Sequence, residues 1–175
     1  MRKIAKFHLV SQEQFKKDME QHFPDLTDEE IQEVYNKLQL PRRATTGSAG
    51  YDFFAPIEIL LQPGESRVIP TGIRVAIDQG WALKCYPRSG LGFKYRMQLN
   101  NTVGIIDSDY FNSENEGHIL AKITNASNEG KEIKIKTGDG FIQGVFVEYG
   151  ITYDDEVTKV RIGGFGSTTA PSSKN

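Results

Sequence analysis

The stretch IRVAIDQGWALKC, residues 73–85, contains two segments in which every second side chain is apolar. Alternation with a period of two is typical of β-strands that bury one face. Asp-Gln-Gly lies between the two segments and has the composition of a tight turn. The stretch therefore predicts two consecutive strands, whose buried positions are Ile73, Val75 and Ile77 in the first and Trp81, Leu83 and Cys85 in the second.

The same pattern recurs along the chain after residue 50. Alternating segments and turn sequences follow one another at short intervals, the segments at residues 57–61, 119–123, 133–135 and 145–147 and the turns at residues 63–64, 128–130 and 138–140. Many short strands separated by turns of this kind form sandwiches or barrels. We therefore expect an all-β fold.

Residues 11–40 have a different pattern. Ser11 followed by Gln14, and Thr27 followed by Glu30, each match a capping box at the start of a helix. Two short amphipathic helices are predicted, with apolar faces formed by Phe15, Met19 and Phe23 before Pro24, and by Ile31, Val34, Tyr35 and Leu38. We call this segment the helical hairpin. We expect it to cover the sheet or a subunit interface, and recognition of a protein partner is the alternative.

Composition limits the class of protein. The chain has 175 residues, 38% of them hydrophobic and 25% charged, and a formal net charge of -2. These values predict one globular domain without a general affinity for nucleic acid. A single cysteine, Cys85, favours a reducing compartment and a structural thiol. The N-terminus does not resemble a signal peptide and no 18 apolar residues run together, so we expect a cytoplasmic protein without a membrane partner.

The segment IIDSDY, residues 105–110, joins an apolar strand to two carboxylates and a phenol. If the strand continued, Asp107 and Asp109 would lie on the same face, where like charges destabilise each other. A turn is one interpretation, since Asp-Ser-Asp is common in loops. The other is a functional site that requires a carboxylate.

Further segments carry side chains suited to phosphate binding. Residues 86–92 place Arg88, Ser89 and Gly90 after a predicted strand, which combines a guanidinium, a hydroxyl and accessible backbone amides. Gln143 is a polar side chain among apolar ones, so its amide caps backbone or contacts a ligand. The glycine-rich residues 161–169 do not match a Walker loop, and a flexible linker is the alternative there.

Five segments taken together resemble the five motifs of the trimeric dUTP pyrophosphatases in order and spacing. They are residues 48–52 (SAGYD), 87–90 (PRSG), 103–110 (VGIIDSDY), 138–143 (GDGFIQ) and 163–168 (GGFGST). The resemblance extends over residues 41–169 and leaves the helical hairpin outside. It implies a jelly-roll-like β fold, a homotrimer whose active sites are each assembled from several subunits, and Mg²⁺-dependent hydrolysis of dUTP to dUMP and pyrophosphate.

The resemblance also implies roles for the third segment and for the metal. Asp107 matches the aspartate that activates a water for attack on the α-phosphorus. Tyr110 matches the ring that packs under deoxyribose and excludes a 2′-hydroxyl. Asn101 matches the side chain that reads uracil, together with the backbone of the same hairpin at Gly104 and Ile106. A further carboxylate, at Asp52 in the first motif, matches the one that holds Mg²⁺ through its water shell.

The remaining implied roles concern the phosphates and the C-terminus. Arg88, Ser89, Gly90 and Gln143 match phosphate contacts. Phe165 and Gly166 match a segment that closes over uracil, and Arg161, Ser167 and Thr168 fall near the terminal phosphate. Residues 1–157 are thus expected to form one domain, and residues 158–175 a flexible lid. Gly140 stands where the family usually has a basic residue.

Two alternative functions remain open at this point. One is a dCTP deaminase, an enzyme class that shares this fold but releases ammonia. The other is a dUTP-sensing regulator that binds a partner through the helical hairpin. The segments at residues 107–110 and around Phe165 favour the hydrolase.

Overall fold

The computed structural model describes residues 2–158 of the chain, and antiparallel β-strands form its framework. The strands are β1 (Ala5–Leu9), β2 (Tyr51–Phe54), β3 (Ile59–Leu61), β4 (Ser66–Pro70), β5 (Ile73–Ile77), β6 (Trp81–Pro87), β7 (Met97–Leu99), β8 (Gly104–Ile106), β9 (Leu120–Asn125), β10 (Ile133–Ile135) and β11 (Gly140–Glu148). The helices are α1 (Gln12–His22), α2 (Asp28–Asn36), α3 (Ser89–Tyr95) and a 3-10 helix (Ser108–Asn112).

Four antiparallel sheets are formed by these strands. The largest has the order β2-β11-β6-β8, a second has the order β4-β9-β7, and β1 pairs with β5 and β3 with β10. Neighbours in a sheet are mostly distant in sequence, as expected of a jelly-roll-like arrangement. The predicted all-β fold is confirmed.

The two strands predicted in residues 73–85 are β5 and β6, but they do not pair with each other. β5 pairs with β1, whereas β6 lies between β11 and β8. The turn between them contains Gly80 at φ 84°, a conformation that glycine adopts readily. This turn therefore carries the chain from one sheet into another.

The main core lies between the sheets. Its most deeply buried side chains include Phe53, Leu83, Ile123 and Phe141, each with 0% relative exposure. The alternation seen in the sequence places Leu83 and Ile123 on the inner faces of their strands. A second, smaller core contains Val10, Phe15, Met19 and Ile31 and joins the helical hairpin to the rest of the chain.

Both helices predicted in the helical hairpin are present. Thr27 and Glu30 form the reciprocal capping box predicted for α2. At α1 the prediction was half wrong. The Ser11 hydroxyl accepts the Gln14 N–H, but the Gln14 side chain donates to Asp18 and does not return to the cap. Pro24 lies two residues after the end of α1, as expected of a residue that cannot continue a helix.

The segment that follows β8 is not an extended strand. β8 ends at Ile106, and residues 108–112 form the 3-10 helix, with Asp107 as its N-cap in extended conformation. The interpretation of this segment as a turn is therefore confirmed, and Asp107 and Asp109 do not share one face of a strand. Within β8 Gly104 and Ile106 are buried, whereas Ile105 is 55% exposed. None of the helices in residues 2–158 has the length and apolar character needed to span a membrane.

Candidate active site

A cavity of about 790 Å³ gathers most of the residues predicted to bind phosphate. Asp52 comes from β2, Gln143 from β11, and Ser89 and Gly90 from the first turn of α3. Arg88 lies between β6 and α3 and borders the same cavity. The pairing of β11 with both β2 and β6 brings these side chains together from distant parts of the sequence.

Polar contacts fix two of these side chains. Arg88 Nε lies 3.2 Å from Asp52 Oδ1 in an ion pair, with the Asp52 side chain 16% and the Arg88 side chain 45% exposed. Gln143 Nε2 donates to the Pro87 carbonyl at 3.2 Å. The prediction that Gln143 caps backbone or meets a ligand is thus confirmed in its first part. The Arg88 guanidinium still reaches the cavity, where it can meet an anion.

Two lysines border this cavity that the sequence motifs did not include. Lys94 lies on α3, and Lys134 lies on β10 beside the cavity wall. Lys134 Nζ is 3.6 Å from Glu58 in an exposed ion pair. Treating residues 89–95 as a helix would have placed Lys94 on the same face as Gly90, four residues earlier. No local signal marks Lys134, because only sheet pairing brings it to the site.

A second cavity, of about 410 Å³, contains the residues predicted to bind the base. Asn101 is in the β7–β8 turn and Gly104 and Ile106 are in β8, and all three line this cavity. The turn contains Thr102 at φ 64°, a conformation that a β-branched residue rarely adopts. Cys85 also borders the cavity. Burial raises the pKa of its thiol to about 12, which keeps it protonated and unreactive.

The helical hairpin also contributes to this second cavity. Gln21 and His22, in the last turn of α1, line it opposite β8. Neither residue was predicted from the sequence. The signal was absent because the helical hairpin lies outside the five motifs and its position on the sheet is set by tertiary packing.

The two cavities lie on opposite faces of the four-stranded sheet. Ile142 lines the second cavity and Gln143 the first, and successive side chains of a strand point to opposite faces. The pairing of Asp52 with Gln143 and of Gly104 with Cys85 extends each face across the sheet. One chain therefore presents the predicted phosphate and base residues on separate surfaces.

Asp107 and Tyr110 of the third motif lie after β8. Asp107 directly follows Ile106, which lines the second cavity. Tyr110 is 3% exposed and packs in the main core. Its hydroxyl donates to the His118 carbonyl at 2.9 Å and accepts from Asn115 Nδ2 at 2.8 Å. The phenol is thus held in one orientation by two hydrogen bonds.

The model of the dUTPase family matches residues 36–169. The deoxyuridine 5′-triphosphate nucleotidohydrolase of Lactococcus lactis is 40% identical over 136 residues, which cover 76% of this chain and 89% of that protein. The chain belongs to the dUTPase family. The match begins at residue 36, so α1 and nearly all of α2 lie before it.

Solved structures of dUTPases have the same fold. A crystal structure of dUTPase from Streptococcus mutans aligns with a TM-score of 0.61 at 30% identity, and covers 83% of this chain and 97% of that one. A dUTPase variant from phage phi11 of S. aureus, whose structure concerns the coordination of a structural Mg(II) ion, aligns at 0.61 over 90% and 98% of the two chains. Its identity is 21%, so this likeness concerns the fold alone.

Gly140 stands where the dUTPase pattern has a basic residue, and the structure gives a steric reason for the glycine. A Cβ at Gly140 would lie 2.8 Å from Arg88 Nη1 and 3.0 Å from Arg88 Cδ. The Arg88 side chain thus occupies the space that a side chain at position 140 would need. Arg88, Lys94 and Lys134 are the basic residues that border this cavity among residues 2–158.

The carboxylates of the first cavity suit a magnesium ion that keeps its waters. Asp52 and Asp139 both border the cavity. No group of three or more His, Cys, Asp or Glu side chains within residues 2–158 is arranged to ligate a metal directly. Mg²⁺ dehydrates reluctantly and is commonly bound by one or two carboxylates together with substrate phosphates. This donor set fits that mode.

Five of the predicted site residues are outside the described part of the chain. They are Arg161, Phe165, Gly166, Ser167 and Thr168. The predicted lid, residues 158–175, falls almost entirely in the same region. Its role therefore stays a prediction.

Proposed function

We propose that the chain hydrolyses dUTP to dUMP and pyrophosphate by attack of an Asp107-activated water on the α-phosphorus. One observation supports this most directly. Among residues 2–158, Arg88, Ser89, Gly90 and Gln143 border one cavity, whereas Asn101, Gly104 and Ile106 line a second, and Asp107 directly follows Ile106. Family membership gives the substrate class, since the L. lactis relative is named as a deoxyuridine 5′-triphosphate nucleotidohydrolase.

In this proposal, Asp107 takes a proton from the attacking water. A general base of this kind contributes roughly 10²- to 10⁴-fold to the rate. Tyr110 packs against the deoxyribose and leaves no room for a 2′-hydroxyl. Asn101 and the backbone at Gly104 and Ile106 hydrogen-bond uracil, in a cleft too narrow for the methyl group of thymine.

The triphosphate is held in the first cavity by Arg88, Ser89, Gly90 and Gln143. Asp52 would hold Mg²⁺ through coordinated water, and the ion would supply charge neutralisation between the phosphates. The chain itself supplies the guanidinium of Arg88, which the ion pair with Asp52 keeps at the cavity wall. Phe165, with Gly166, covers the base, and Arg161, Ser167 and Thr168 approach the terminal phosphate.

The active site of the proposed enzyme lies between chains of a homotrimer. A substrate must contact both cavities, and these lie on opposite faces of one sheet, so two chains are needed to complete one site. The segment after β11 supports contacts between chains. Tyr149, Ile151, Tyr153 and Val157 are all exposed, and exposed apolar side chains grouped in this way mark association surfaces.

The test is pyrophosphate release compared across dUTP, dTTP, dCTP and UTP with Mg²⁺. The proposal predicts rapid release from dUTP only. Release of ammonia from dCTP would instead identify a deaminase. Equal release from dUTP and dTTP would show that the uracil-binding cleft does not exclude the methyl group of thymine.

A further inference from the structure

We propose that Asp18, in the helical hairpin, is a positioning residue for Tyr110 and so for discrimination against ribonucleotides. The inference rests on the proposed function, in which Tyr110 packs against the sugar. Asp18 acts through His118, whose ring is hydrogen-bonded to Asp18 and whose carbonyl is hydrogen-bonded to Tyr110.

The Asp18 carboxylate and the His118 ring form a buried pair. His118 Nδ1 lies 2.5 Å from Asp18 Oδ2, and the two side chains are 0% and 8% exposed. His118 Nε2 accepts the Gly72 N–H at 2.8 Å, so the ring proton is on Nδ1 and is donated to Asp18. Gln14 Nε2 donates to the same carboxylate oxygen at 2.8 Å. Every polar atom of the His118 ring therefore has a partner.

The backbone of His118 fixes the phenol of Tyr110. Its carbonyl accepts the Tyr110 hydroxyl at 2.9 Å and Asn115 Nδ2 at 3.3 Å. A shift of the His118 ring moves its own backbone, and with it the acceptor for Tyr110. Buried networks of this kind hold one geometry only while every member is satisfied.

A second contact ties the start of α1 to the same loop. The Ser11 N–H and hydroxyl donate to the Glu116 carboxylate at 2.7 and 2.6 Å. Arg74 lies 3.8 Å from Glu116 and donates to the Phe111 carbonyl at 2.5 Å. The loop that follows Asp107 is thus held by α1 at two points. The helical hairpin therefore has a role within the chain itself.

Removal of the carboxylate at position 18 tests this role. In Asp18→Ala, the buried Nδ1–H of His118 loses its acceptor, so the ring shifts to find another. We expect the ratio of kcat/KM for dUTP to that for UTP to fall about tenfold, because a displaced Tyr110 no longer excludes the 2′-hydroxyl. Asp18→Asn retains an oxygen acceptor and is expected to lose much less discrimination.

Ile31→Ala is the matched control. Ile31 is 2% exposed in the core of the same hairpin, so its truncation destabilises the hairpin without removing a member of the network. A purely structural loss lowers the active fraction equally for both substrates, so Ile31→Ala is expected to lower the Tm and preserve the ratio. The proposal is overturned if Asp18→Ala preserves the ratio, or if Ile31→Ala lowers it equally.

Amide hydrogen exchange gives an answer independent of activity. Exchange at residues 107–118 is expected to rise in Asp18→Ala, to rise much less in Asp18→Asn, and to stay at the wild-type level in Ile31→Ala. Equal exchange in the wild type and in Asp18→Ala would overturn the positioning role. If the wild type releases no pyrophosphate from dUTP, the proposed function fails, and the exchange result still decides whether Asp18 orders this loop.

Discussion

Arg88 packs directly over Gly140, with its Nη1 atom 2.8 Å from the point that a Cβ of residue 140 would occupy. The same guanidinium is paired with Asp52 at 3.2 Å. The absence of a side chain at position 140 therefore makes room for the arginine on the cavity wall. A basic residue at this position would compete with Arg88 for one space.

We expect Gly140→Ala to weaken substrate binding without unfolding the protein. The atoms that the new methyl group meets belong to the flexible end of Arg88, which can move at little cost to stability. Its movement breaks the pair with Asp52, so KM for dUTP is expected to rise about tenfold, with kcat affected less. Steady-state kinetics and the Tm measure the two effects.

Gly47→Ala is the control for this change. Gly47 does not line the cavity, and a Cβ there would meet nothing within 4 Å. It should leave both KM and the Tm unchanged. A Gly140→Ala variant with wild-type KM would show that the position of Arg88 has no effect on phosphate binding.

Asp107→Asn is expected to abolish turnover while dUTP still binds. Asparagine has the size of aspartate but cannot accept the proton of the attacking water, so the rate should fall at least about 100-fold. Pyrophosphate release and equilibrium binding of dUTP separate the two effects. Asp109→Asn is the matched control, because it removes a carboxylate from the same segment and should keep turnover. Wild-type activity in Asp107→Asn would show that Asp107 is not the general base.

Stability is expected to fall in acid because of the carboxylate at Asp18. Burial alone raises the pKa of this group, but the hydrogen bonds from His118 and Gln14 outweigh it, and the folded-state pKa lies below the ordinary value of 3.8. The unfolded chain therefore binds the proton more readily. The contribution of Asp18 to the free energy of unfolding is complete above its ordinary pKa and is lost as the pH falls through the lower, folded-state pKa.

Urea unfolding at several pH values, followed by fluorescence of Trp81, measures this dependence. In Asp18→Asn the group no longer titrates, so the slope of the unfolding free energy against pH should be shallower below the ordinary pKa of 3.8. Glu20→Gln removes an exposed carboxylate of the same helix, which is paired with Lys16 at 3.7 Å, and should retain most of the slope. Equal slopes in the wild type and Asp18→Asn would contradict the buried pair.

Local patterns in the sequence predicted where strands occur better than which strands pair with each other. Alternation identified β5 and β6, because burial of one strand face requires it. It did not show that these strands belong to different sheets, since pairing depends on contacts between distant residues. The helix α3 was missed because Gly90 and Gly92 occur within it, and glycine usually disfavours helices.

The site residues that could be predicted from the sequence are those that belong to a short continuous motif. Asp52, Arg88 and Gln143 were each identified within a motif, and the structure places them at one cavity. Lys134 and His22 were missed because each belongs to an element that only tertiary packing brings to a cavity. The buried pair of Asp18 and His118 could not be predicted either, because 100 residues separate its members.

Complementation between two inactive variants tests the shared site most directly. Arg88→Ala removes the guanidinium that binds phosphate on one surface of a chain. Asp107→Asn removes the general base, which belongs to the other surface. Each variant alone should release little pyrophosphate from dUTP. After the two are unfolded together and refolded at equal concentration, about one quarter of the sites should combine two intact surfaces and regain activity, because each surface comes from a different chain. A mixture as inactive as its components would contradict the account.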